Sequence, residues 1–276
     1  MKTSKIKEIG KKLEKAAHLE FKPICIYGSE SLPSNVIKST EIHFCIANAI
    51  LSLSVLEGVD AIYFNMKEKR GSCPGSRAWL GYEGFNPFLK NFLSMGIKNY
   101  PAEYLVSSPE VADKRLNSLG KLKALGVNTI FQKTSSLNDN ENINVKAILL
   151  FGQAEKIRNL SMLGYFDSTS AKGKIEMPWG SSCASFVTYP AGLAENGPKN
   201  KIILGPMDPT DNYFFPPDIL AMGIPIEIAN NMAQHAKDSF MINRSQVAFP
   251  EKRANPRNIY DKEDFKKFSE KLFKHN

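Results

Sequence analysis

"VKAILLFG", residues 145–152, is a continuous apolar run broken only by Lys146 and closed by Gly152. An unbroken run of this length reads as a strand whose two faces are both covered, because a half-solvated strand would alternate polar and apolar residues. A helix from about Ala154 to Leu163 follows it. Upstream, "PICIYG" (23–28) and "VDAIYFNMK" (59–67) read as further buried strands, and downstream "KIILG" (201–205) reads as a fourth. Between them the period changes to that of a helix. Ile6, Ile9, Leu13, Ala16 and Ala17 mark one face of an amphipathic helix over residues 3–19. Thr40 is placed to cap a helix that carries His43 and Cys45 and runs to Leu56, with Gly58 as its stop. Further helices are expected around Pro87–Met95, from Ser108-Pro109-Glu110 to about Leu125, and over Glu227–Lys237. Residues from 219 onward lead into the last of these as a strand or turn. Strands alternating with helices predict a single α/β domain over residues 1–276, a mixed β-sheet flanked by helices. The amphipathic helix at 1–20 and a basic helix at 251–276, with Phe265, Phe268 and Leu272 at helical spacing, are expected at its periphery. The polar stretch 135–144 reads as a surface loop.

The chain has 276 residues, 42% hydrophobic and 23% charged, enough for a sizeable core. No apolar stretch reaches the roughly 18 residues that a membrane span needs; the longest, Ile46–Leu56, carries Ser52 and Ser54. The N-terminus is charged where a signal peptide has its apolar core, so a cytoplasmic location is expected, with no membrane partner. Four cysteines, at 25, 45, 73 and 183, lack the dense spacing of a disulfide scaffold. The formal charge of +8 carries +4 in residues 1–22 and +3 in residues 251–276, leaving +1 for everything between. A basic excess confined to the ends, with no basic stripe interleaved with aromatics, argues against nucleic-acid binding.

One segment carries chemistry: "RGSCPGSRAWLGY", residues 70–82. Cys73 stands among small residues, with Lys67, Lys69 and Arg70 before it and Arg77 after it. Gly75 allows close backbone approach, and "GSCPG" at 71–75 is echoed by "SSCAS" at 181–185. Cys45, Cys73, Gly75, Gly81 and Cys183, together with "LLFGQAEKI", occur in an order that resembles a family of archaeal and bacterial proteins known only as domain of unknown function 169. The likeness runs from about Phe21 to Met232; Cys25 falls where that family has a plain aliphatic residue. The resemblance implies a shared fold and site and brings no activity with it.

Three readings of the cysteines stay open. Buried thiols that simply pack are common. Cys45, Cys73 and Cys183 also form a candidate ligand set for an iron–sulfur cluster or another thiolate-bound metal, with Gly75, Arg77 and Trp79 beside it as cofactor-binding residues. His43, two residues from Cys45, would face another side of a continuous helix. Alternatively, Cys73 is a nucleophile whose thiol the neighbouring cations acidify, with His43 or His235 as the only base candidates. A pocket without metal, lined by loop aromatics (Trp79, Tyr82, Trp179, Tyr189, Tyr213, Phe214), is the competing site, and its partner is a small-molecule ligand; a cluster would call for a redox partner. Asp208 and Asp211 read first as turn chemistry and second as ligands of a divalent ion or a sugar hydroxyl. No phosphate-binding loop, dinucleotide fingerprint, HExxH or GxSxG occurs.

Overall fold

In the computed structural model the described residues are 1–67, 73–139 and 141–251, and beyond these 253, 263, 266, 267 and 270. Most of the expected helix over residues 251–276 therefore lies outside the described residues.

The chain forms one mixed sheet of eight strands: β1 (Ile24–Ser29), β2 (Val36–Lys38), β3 (Ala61–Asn65), β4 (Asn128–Lys133), β5 (Val145–Gln153), β6 (Ile175–Glu176), β7 (Ile202–Gly205) and β8 (Ile219–Pro225). Their order is β2-β3-β4-β1-β5-β8-β7-β6. Only the edge pairs β2–β3 and β6–β7 are parallel; the described pairs between them are antiparallel. β5 lies at the centre, paired to β1 with Ile24 opposite Leu149 and Cys25 opposite Ile148, and to β8 along seven positions. Residues 145–152 are covered on both faces, with Lys146 alone half-buried.

The period of two sorts each strand between two cores. On one face, Cys25, Tyr27, Ile148, Leu150, Met222 and Ile224 pack under α1 (Thr3–Ala17) and two later helices, Ala154–Gly164 and Ile226–His235. Here the stripe Ile6, Ile9, Leu13, Ala16 and Ala17 is buried while Lys11, Lys12 and Lys15 stay in water. On the other face, Ile24, Ile26, Leu149, Phe151, Ile203 and Ala221 pack under irregular layers built from residues 42–56, 79–89 and 179–194. Burying these side chains stabilises the fold by about 1.5–3 kcal/mol for each large one.

The structure differs from the local sequence reading in three places. The helix expected over Thr40–Leu56 is broken into α2 (Ser39–Ile42) and α3 (Ile46–Leu53). At the break His43 is extended, and its Nδ1 accepts a hydrogen bond from the Cys45 amide at 2.9 Å. β4 carries Asn, Thr, Gln and Lys and has no local strand signature, yet all six of its residues are buried because it is paired on both sides by β1 and β3. After two short helices, α4 (Pro74–Trp79) and α5 (Leu89–Leu93), the helix begun at Ser108 is α6 (Pro109–Ser118); it stops well before Leu125. Gly120, at φ 66°, turns the chain there. The two helices of the first face, Ala154–Gly164 and Ile226–His235, are α7 and α8.

Candidate functional site

Each of the three candidate cysteines stands at the start of a helical segment. Cys45 precedes α3, Cys73 precedes α4 with Pro74 as its first residue, and Cys183 leads into a π-helix at Ala184–Thr188. Backbone contacts bring these starts together. The Cys73 amide donates to the Phe44 carbonyl at 3.2 Å, which sets Cys73 beside Cys45. One turn into α4, Ser76 Oγ lies 3.8 Å from Cys183 Sγ. Asp211, in the 3₁₀ turn Pro209–Tyr213, closes the group, with Oδ1 3.9 Å from Cys45 Sγ.

The electrostatics follow from this crowding. Burial pushes the Cys45 thiol up to about 11, and the neighbouring Asp211 and Cys73 add to the shift. Burial also pushes Cys183 well above the ordinary thiol value, and Cys45, Cys73 and Asp211 push it the same way. Asp211 is itself raised by burial and by Asp208, while Ser182, Cys45 and His43 pull it back. Loss of solvation and mutual repulsion both favour neutral forms. Among the described residues, no group of three or more His, Cys, Asp and Glu side chains has the arrangement of a metal site. Cys25 belongs elsewhere. It is fully buried on the opposite face of the sheet, and desolvation pushes it up to about 12.

Beside the thiols lies a cavity of about 700 Å³. Its walls come from α4 and the turn after it, from α5 and the following loop to Leu105, from Trp179–Ser181, and from Met207–Thr210. Cys73, Gly75 and Trp79 line it. Trp79 is held edge-on to Phe85 (4.9 Å), Trp179 (6.4 Å) and Tyr189 (6.3 Å). Thr188 Oγ1 donates to the Trp79 carbonyl at 2.6 Å, and Tyr189 donates to the Trp179 carbonyl at the same distance. Gly180, at φ 158°, lets these segments close: a Cβ there would lie 2.6 Å from Ala184 Cβ. The Ser181 hydroxyl, on the same wall, is buried and has no hydrogen-bond partner among the described residues.

Gly75 and Trp79 thus both face the cavity, and Arg77 does not. Arg77 is 5% exposed and spends its guanidinium on the Met66 carbonyl (2.9 Å) and on Glu83 (3.2 Å). Of the aromatics expected to line a pocket, Trp79 and Trp179 do, while Tyr82 donates to the Phe64 carbonyl and packs against Phe64. Sequence reading missed Phe88, Phe92 and Glu103, because "NPFLKNF" and "PAEYL" carry no motif and reach the cavity only through the path of the chain. Of the bases considered for Cys73, His43 accepts from the Cys45 amide and packs against Phe214, while His235 pairs with Asp167 at 3.8 Å. Among the described residues no helix is long and apolar enough to cross a membrane.

A family model described as "Uncharacterised ArCR", domain of unknown function 169, matches residues 12–235 of the chain. No curated protein and no solved structure matches it.

Proposed function

Taking as premise that the chain belongs to this uncharacterised family, we propose that it binds a small organic molecule in the aromatic cavity, beside the Cys73 thiol. The observation that carries this reading is the cavity itself: about 700 Å³ is within the usual range for small-molecule sites, and its lining is chiefly apolar and aromatic. Gly75 supports it further. Among the described residues, a Cβ at this position would meet only Cys73 Sγ, at 3.6 Å, and none of them demands a glycine there. A side chain added at Gly75 takes up space in the wall of the cavity beside Cys73 and meets no described core residue. The Gly75→Val variant is therefore expected to melt within a few degrees of the native protein and to lose binding of compounds that quench Trp79 and Trp179 fluorescence. A variant that keeps full binding refutes the reading.

A second reading is that Cys45, Cys73 and Cys183 hold an iron–sulfur cluster or another thiolate-bound metal. In its favour is the convergence of the three helix starts that carry these cysteines, with Asp211 beside Cys45, where a bound cation would favour the thiolate forms. Anaerobic purification, a visible spectrum and iron, sulfide and zinc analysis test it: a colourless, metal-free protein ends it.

A further inference from the structure

The chain is basic, at +8, yet the described residues that line the cavity include no Lys, Arg or His. The charged side chains that line it are Glu83, Glu103 and Asp208. Glu83 is engaged by Arg77. Asp208 accepts from the Thr210 amide (3.0 Å) and hydroxyl (2.7 Å) through a single oxygen, Oδ1. Both contacts are neutral donors, and among the described residues no ion pair compensates its charge. Glu103 has no hydrogen bond or ion pair to its carboxyl among the described residues; it lines the cavity together with Asp208, and the charges of Asp208 and Asp211 both act on it. The remaining walls are chiefly apolar, and five aromatic side chains, Trp79, Trp179, Phe88, Phe92 and Tyr100, are among them. Carboxylates in a partly dry, aromatic cavity attract a cation twice, by direct charge and through the negative faces of the rings.

We propose that the ligand is an organic cation, an amine or quaternary ammonium on an apolar or aromatic body, with its charge between Glu103 and Asp208 and its body against Trp79 and Trp179. This rests on the reading of the cavity as a ligand site and adds the class of ligand. The rim agrees with an apolar body: Phe88, Ile97, Tyr100 and Met207 are 62%, 43%, 70% and 38% exposed around the opening. Trp179 already takes a cation on its ring, with the Arg115 guanidinium carbon 4.9 Å from the centroid. Burial, with the charges of Asp208 and Asp211, raises the Glu103 carboxyl to about 7. A bound cation favours its ionised form, so cation binding releases a proton near neutrality and strengthens as pH rises from 6 to 8.

Three probes of one shape separate this inference from the reading beneath it: 3-phenylpropylamine, 3-phenylpropan-1-ol and 3-phenylpropionate, titrated calorimetrically at pH 8 into the full chain. The amine is expected to bind about tenfold more tightly than the alcohol, and the carboxylate most weakly. The double variant Glu103→Gln, Asp208→Asn is expected to bring the amine to the level of the alcohol and to leave the alcohol unchanged. If amine and alcohol bind equally, and both are lost in Gly75→Val, the cavity is a ligand site and the cation inference is overturned. If none of the three binds, both are overturned.

Discussion

From the centre outward, the strand paths β1-β4-β3-β2 and β5-β8-β7-β6 are the same: two antiparallel pairings followed by one parallel pairing at the edge. In each half a helical segment connects the two parallel strands, α3 in the first and the π-helix in the second, and a cysteine stands at its start, Cys45 and Cys183. The halves part company in the next connection. Between β7 and β8 the chain needs only residues 206–218, whereas between β3 and β4 it runs through residues 66–127. That longer segment supplies Cys73, Trp79, α5 and Glu103, hence most of the cavity wall. The scaffold is repeated and the site is not: a pocket arises where one half carries an insertion that folds back against the other. The echo between 71–75 and 181–185 therefore joins positions that differ in the fold, while the equivalent pair, Cys45 and Cys183, shares little sequence around it.

The severest test of this comparison falls on the seam. Phe151, fully buried in central β5, is ringed by Phe21 (6.2 Å), Phe186 (5.4 Å) and Phe215 (6.2 Å). Phe151→Ala is expected to destabilise the protein by about 3–5 kcal/mol in urea unfolding. Because β1 and β5 join both halves into one sheet, the loss is expected in one cooperative transition. Two separate transitions, one of them unchanged, would show that the halves fold independently.

A smaller effect is expected where the insertion is fastened to the second half. Thr188→Val removes the donor to the Trp79 carbonyl and leaves that carbonyl buried, a loss of about 1–3 kcal/mol. A shift in tryptophan emission should accompany it, since Trp79 sits at this joint. Unchanged stability and emission would mean that the insertion stands without its tether.

The smallest effect belongs to Glu103. Its folded value, about 7, lies above the roughly 4.3 of an unfolded glutamate, so between these values the folded chain keeps a proton that the unfolded chain has lost. Stability therefore falls as pH rises from about 4.3 to about 7 and stays lowered above that. The side chain is only partly buried, so the loss is held to at most about 1 kcal/mol by solvent screening. Urea unfolding at pH 5 and pH 8 should show this fall in the native protein and a smaller one in Glu103→Gln. An equal slope in both would assign the pH dependence to other groups.

Much of the scaffold was legible in the sequence because the signals involved are local. A continuous apolar run specified β5 and a stripe at helical spacing specified α1, whereas the small residues around Cys73 and Cys183 read as loops and in the fold lead directly into short helical segments. β4 was illegible, since its polar residues are strand only by virtue of the neighbours that pair with them. The break at His43 was equally hidden, because an imidazole taking the Cys45 amide is one local competitor against a sound helical period. What the sequence by itself determined is an α/β domain with a doubly covered sheet and a set of cysteines worth watching. Tertiary structure alone decided that Cys25 lies on the opposite face, that Arg77 turns away to Glu83, and that Glu103 and Asp208 share one cavity. Periodicity reports which face of an element is apolar. A cavity is the space between elements, and it exists only once segments far apart in the chain have been brought together by burying those faces.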